Sequence, residues 1–279
     1  MKTDIILIHT GTKFPEYINH CITQLKKFNF NIHIIISEIL IPSLIHNDII
    51  ISKEEDYIDS DYNSYQIKNH DTSFRDGFWK RTSSRFILLS SYVHKNNISS
   101  FFHIENDNLI FSDLSDTKYI LDNSKFEMAL VIDSENRCIP SIMYVNSLNI
   151  IKLLSDYIIR NNFNNDMLNT FNFFNSNKDK VTNLPILPNS VNIEKCVVNY
   201  SNFYTELNSI FDGAAIGQYL YGVDSNENTV GFINETTIFD VSNFEYIWED
   251  NIPFMVVDNN KIKINNLHIH SKKLNILNE

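Results

Sequence analysis

The stretch FFHIENDNLIF, residues 101–111, is an apolar run that breaks at Glu105, Asn106 and Asp107 and then turns apolar again. Its first half reads as a buried strand, Ser100 to Ile104, with the acids at the strand's carboxyl end. Unpaired charges at the end of a core strand are costly unless a cation compensates them. Residues two apart share one side of an extended chain, so Glu105 and Asp107 can approach a single ion. Oxygen ligands of this kind suit Mg2+, Mn2+ or Ca2+. The bland alternative, a polar turn made by Asn106 and Asn108, gives the two acids no task.

Upstream, residues 74–94 carry a helical pattern, with Phe86, Leu89 and Val93 on one face and Thr82 and Arg85 on the adjoining stripe. Arg85 therefore lies on a helix that feeds straight into the acidic strand, where it can serve phosphate, the carboxylates or a structural ion pair. Further back, DIILIH (4–9) reads as a fully buried strand bounded by Gly11, and Pro15 suits the first turn of a helix to about Phe28. Strands follow at 31–37 and 48–52, then a polar, acidic loop from Lys53 to about Asp71. This β-α-β order opens a nucleotide-binding α/β sheet, whose ligands lie outside the carboxyl ends of the strands.

Downstream, 127–133 and 141–146 read as strands and 147–160 as a helix, whereas 161–210 is Asn-rich and carries no assignable pattern. FMVVDNNKIKIN (254–265) predicts a hairpin at Asp-Asn-Asn. NLHIH (266–270) predicts a last strand with His268 and His270 on one face, followed by Lys272 and Lys273. A histidine added to two carboxylates moves the preference from Mg2+ toward Mn2+, and the lysines can meet a diphosphate as point charges. A solvated basic strand end is the plain alternative. SIFDGAAIGQYLYGVD (209–224) holds three of the six glycines, around Asp212 and Gln218. Either backbone approaches a ligand there, with Asp212 a candidate general base, or the small residues only permit close packing.

With 279 residues, 43% hydrophobic and 20% charged, the chain is composed as a soluble globule. A net charge of -11 argues against a nucleic-acid partner. Cys21, Cys138 and Cys196 are scattered with no zinc or disulfide spacing, which points to a reducing compartment: the cytoplasm, or the virion or host cytoplasm for a viral gene. No segment is long and apolar enough for a membrane span.

Together, TSSRF (82–86), FFHIENDNLIFSDL (101–114) and NLHIHSKK (266–273) resemble a metal-dependent glycosyltransferase of the GT-A fold, similar to family 8, with ExD in place of DxD. The resemblance implies one GT-A-like domain over 1–279: a Rossmann-like, mostly parallel sheet in a nucleotide-sugar half (1–150), and a smaller acceptor-side half (151–279) bearing the metal-ligand strand. It implies transfer from a nucleotide diphosphate sugar, UDP-linked, to a glycan, protein or other hydroxyl acceptor, with Mn2+ or Mg2+. Asp107 would bind the metal, Glu105 the metal or a ribose hydroxyl, and His268 or His270 would complete the coordination. His9, Thr10, Gly11, Thr12 and Asn106 would hold the nucleotide, with Arg85, Lys272 and Lys273 on sugar or diphosphate and Gln218 on the acceptor or sugar. If configuration inverts, Asp212 and then Asp166 are the candidate bases. A nucleotidyltransferase and a Ca2+-dependent carbohydrate-binding protein are the rival classes; HTGTKFPEY lacks the Gly-rich, Arg-bearing loop of the first, and the βαβ opening speaks against the second.

Overall fold

The computed structural model describes residues 2–69, 74–75, 77–191, 193, 198–224 and 230–275. Its strands are β1 (Thr3–His9), β2 (Phe30–Ile36), β3 (Ile50–Lys53), β4 (Phe101–Ile104), β5 (Asn108–Ile110), β6 (Met128–Leu130), β7 (Ile142–Val145), β8 (Val181–Asn183), β9 (Ser209–Ile210), β10 (Glu245–Glu249), β11 (Ile252–Val257), β12 (Asn260–Ile264) and β13 (Asn266–His268). The α-helices are α1 (Tyr17–Leu25), α2 (Ser60–Lys68), α3 (Phe78–Asn96), α4 (Ser115–Asp122), α5 (Leu148–Arg160), α6 (Asp166–Ser176), α7 (Tyr204–Leu207) and α8 (Ala215–Tyr221).

The α/β class expected from the sequence is observed. A seven-stranded sheet runs β3-β2-β1-β4-β7-β6-β8. It is mostly parallel; β7 alone among these strands runs against both its neighbours. The unbroken apolar runs of β1 and β4 follow from burial on both sheet faces, with Ile5, Ile6, Leu7, Phe101, Phe102 and Ile104 all fully buried. Helix α1 buries Ile18, Cys21, Ile22 and Leu25, the i, i+3, i+4, i+7 stripe of an amphipathic helix. Helix α3 ends where Asn97 enters the left-handed region at φ 53°, a common helix stop.

Residues 101–111 do not form two strands of one sheet. β4 stays in the central sheet, whereas β5 leaves it and pairs antiparallel with β13. The ENDN turn is therefore the crossing point that brings the C-terminal strand to the end of β4. The predicted hairpin is observed as β11–β12, and a second one, β10–β11, precedes it. Both two-residue turns have positive φ at both positions: 50° and 62° at Asp250 and Asn251, 49° and 62° at Asp258 and Asn259. Asp and Asn tolerate that region, and such turns match strand twist. With β9 these strands form a second sheet, ordered β10-β11-β12-β9. No helix among the described residues is long and apolar enough to cross a membrane. Cys196 lies outside the described residues; Cys21 and Cys138 are buried free thiols.

Candidate metal and nucleotide site

The ENDN turn is tied to both strands beside β4. Glu105 N donates to Ser141 O (2.8 Å), and Asn106 Nδ2 donates to Ile8 O at the end of β1 (2.8 Å). Asn108 N closes the turn onto Glu105 O (3.1 Å), and Ile269 N donates to Asp107 O (2.8 Å). Both carboxylates are thereby aimed at the carboxyl end of the sheet and at the chain that follows β13.

His268 meets them there. Its Nε2 lies 3.0 Å from Glu105 Oε2 and 3.2 Å from Asp107 Oδ2. Its Nδ1 lies 2.6 Å from Gly213 O. A carbonyl can only accept, so Nδ1 carries a proton and Nε2 faces the acids, the arrangement that a backbone carbonyl behind the ring imposes on metal-binding histidines. Glu105, Asp107 and His268 each offer a ligand atom within 4.8 Å of the others. Adjacent ligands of an octahedral ion with bonds of about 2.1 Å stand about 3.0 Å apart, so this donor set fits a small divalent cation.

The electrostatics say the same. Burial alone would raise the Glu105 carboxyl, but Arg85 and His268 hold it down at about 2. Burial is likewise overcome at Asp107, which Lys272 and His268 hold well below the usual range. His268, opposed by burial, is raised to about 10 by the two carboxylates. The site calls for positive charge, which Arg85 and Lys272 bring to the carboxylates beside His268. His270 is pushed to about 3 by burial and by His268.

Arg85 joins the acids from α3. Nη1 pairs with Glu105, and Nη2 donates to Asp166 Oδ2 (3.1 Å) at the start of α6. Lys272 Nζ pairs with Asp107 and sits 5.6 Å from the centroid of the Tyr17 ring, while Lys273 is exposed. His270 stands behind the triad: Gln218 Nε2 donates to its Nδ1 (2.7 Å), and its Nε2 is 3.3 Å from His268 Nδ1. Asn234 Nδ2 in turn donates to Gln218 Oε1 (3.3 Å). At the end of β1, His9 Nε2 donates to Lys13 O (2.9 Å), Thr10 Oγ1 donates to Arg81 O (3.3 Å), Gly11 lies against the His9 ring and Thr12 is exposed.

Asp212 is differently employed. Oδ1 accepts from Ile216 N (3.0 Å), and Oδ2 accepts from Gly217 N (2.9 Å) and His268 N (3.1 Å). It locks the first turn of α8 to β13, although burial raises its carboxyl to about 6 against these bonds. The glycine cluster serves the same contact, a helix on a strand: a Cβ on Gly217 would stand 2.1 Å from His268 O. Gly217→Ala is therefore expected to cost about 1–3 kcal/mol in urea unfolding, because backbone must move. Gly213→Ala, which meets only side chains at 3.2–3.4 Å, should cost less.

Three buried polar atoms around the triad lack a hydrogen-bond partner: Arg85 Nε, Asn106 Oδ1 and Asp166 Oδ1. Buried polar groups left in this way call for a partner outside the chain, a polar ligand or ordered water. Sequence reasoning missed Tyr17 and Asn234. It also missed Asp133, which is buried, has its carboxyl raised by burial, faces Gly213 and pairs with Arg137 at 3.4 Å. No signal in the sequence distinguished these from ordinary polar positions.

No protein-family profile matches the sequence. No curated protein matches it either. Among solved structures, the chain is similar to the apo form of mouse xyloside xylosyltransferase 1, with 10% identity, 74% of this chain and 92% of that one covered, and a TM-score of 0.45. It is similar to the glycosyltransferase GlyE of Streptococcus pneumoniae TIGR4 (15% identity, 66% of this chain, TM-score 0.43), of which it spans 45%. It is also similar to a cytidylyltransferase of Leptospira borgpetersenii (12% identity, 71% and 78% covered, TM-score 0.41). Likenesses at this level leave the chemistry to be read from the site.

Proposed function

We propose that this chain is a metal-dependent glycosyltransferase of the GT-A type, taking a sugar from a nucleotide diphosphate sugar, UDP-linked, to a hydroxyl acceptor. The observation that carries the reading is the convergence of Glu105, Asp107 and His268 on one point, beside orphaned polar atoms, at the carboxyl end of a mostly parallel sheet. Those three residues would hold one divalent cation, Mn2+ by the mixed oxygen and nitrogen donors, supplying Lewis-acid polarisation of the diphosphate. Lys272, half-exposed, turns from Asp107 to a phosphate oxygen as charge builds on the leaving group. Arg85 Nε donates to the bound donor, and Asn106 Oδ1 accepts from one of its hydroxyls. His9, Thr10, Gly11 and Thr12 border the nucleotide at the end of β1, with Lys273 an outer positive charge. Gln218 orients His270 behind His268 and faces the acceptor side.

Between the two candidate bases we assign Asp166 ahead of Asp212. Both oxygens of Asp212 already accept backbone N–H groups, whereas Asp166 keeps Oδ1 free and burial raises its carboxyl. The test is a hydrolysis screen of UDP-, GDP- and CMP-sugars with Mn2+. Release of sugar from one UDP-sugar, abolished by EDTA, is the expected result. Pyrophosphate release from a nucleoside triphosphate and a sugar phosphate, or sugar binding that needs Ca2+ and no nucleotide, would replace the reading.

A further inference from the structure

The second sheet has an outer face that the proposed chemistry does not use. Its register pairs Glu245 with Val256, Ile247 with Phe254 and Glu249 with Ile252, then Val256 with Lys261 and Phe254 with Lys263. Paired residues of an antiparallel sheet share a face, so these residues all project together. Of the alternate residues, Met255, Val257, Ile262 and Ile264 are buried in the core. On the outer face, Ile247, Ile252, Phe254 and Val256 form a half-exposed apolar stripe and are not among the side chains packed on that core.

The stripe is bordered by opposite charges. Glu245 and Glu249 line it on β10, both exposed, and Lys261 and Lys263 line it on β12. Lys261 Nζ reaches across to pair with Glu249, which shows that the two borders lean toward the same side. Their side chains remain 49% and 47% exposed, and a pair so placed contributes little in water and can exchange partners.

We propose that this face is covered by a second copy of the chain, packed sheet on sheet about a two-fold axis parallel to the strands. Rotation about that axis exchanges the sheet's left and right borders. It sets β10 of one copy over β12 of its partner, so acids face lysines twice while the apolar stripe meets itself. An axis across the strands would set acids on acids. A chain with net charge -11 repels its copies in general, so association demands a patch with this self-complementarity. An apolar partner of another kind, such as a lipid surface, gives no reason for opposite charges on opposite borders.

Sedimentation of the full chain over about 1–100 μM tests it, a range that brackets weak specific dimers. The chain of 32.6 kDa is expected to reach twice that mass. Phe254→Glu should weaken the dimer at least about tenfold, as central interface residues do, in a protein that still unfolds cooperatively. Glu245→Lys with Glu249→Lys, and separately Lys261→Glu with Lys263→Glu, should each lose self-association yet pair with one another on mixing. Should Phe254→Glu fail to fold, these border variants still decide the matter. A wild type monomeric throughout, a dimer indifferent to Phe254→Glu in a folded protein, or border variants that ignore each other would overturn the proposal. None of these readouts depends on sugar transfer.

Discussion

Asp107→Ala is expected to lower donor hydrolysis or transfer by about 10²–10³-fold or more, because it removes both a ligand and the charge that gathers His268 and Lys272. Glu105 alone cannot replace it: one of its oxygens is committed to Arg85, while Asp107 Oδ2 is shared by His268 and Lys272. Steady-state kinetics at fixed UDP-sugar with varied Mn2+ would measure the effect, and circular dichroism would confirm the fold. Lys273→Ala, at an exposed neighbour, is expected to stay near wild type. Activity retained in Asp107→Ala with unchanged Mn2+ dependence would remove this residue from the site.

Arg85→Met should destabilise the protein by about 3–5 kcal/mol, since it leaves Glu105 and Asp166 buried without their shared cation. The guanidinium is a fork whose two nitrogens serve two elements, β4's end and α6's start; an ammonium is a single point charge. Arg85→Lys is therefore expected to recover only part of the loss. Arg85→Met combined with Asp166→Asn should lie closer to wild type than Arg85→Met alone, because one orphaned charge is gone. Urea unfolding in the presence of EDTA separates these effects from metal binding. Equal stability of Arg85→Met and wild type would mean that the ion-pair network contributes nothing to the fold.

How much of this was legible in the sequence depends on the kind of signal. DIILIH and FFHI announce central strands because burial on both faces leaves only apolar side chains, and the structure places them side by side in the sheet. The Arg85 helix was readable from its 3.6-residue period. The fate of LIF was not: β5 is as apolar as β4, and whether such a strand continues the sheet or crosses to another is decided by a partner, β13, more than 150 residues away. The same distance explains the histidines. NLHIH sets His268 and His270 two residues apart on a strand, but β13 ends at His268, and only tertiary contacts put its Nε2 on the acids and His270 behind it.

Asp212 shows the opposite limit. An Asp among glycines fits catalysis and close packing equally from the sequence, and the backbone N–H groups of Ile216, Gly217 and His268 that hold Asp212 are what distinguish them. In 161–210 only α6 (Asp166–Ser176) is long enough to show a period; the other elements are short, such as β8 (Val181–Asn183), and the Asn-rich loops between them dilute the pattern. The β10–β11 turn at Asp250-Asn251 did carry a readable signal, the same Asp-Asn pair that marked the hairpin after it.

The central claim is that Glu105, Asp107 and His268 join a divalent ion to a nucleotide diphosphate. Isothermal titration of UDP, with and without Mn2+, into wild type and Asp107→Ala tests it most directly. The predicted result is a gain of about tenfold or more in affinity on adding Mn2+ to wild type, and no gain in the variant. Equal UDP affinity with and without Mn2+ in wild type, or the same gain in Asp107→Ala, would contradict it.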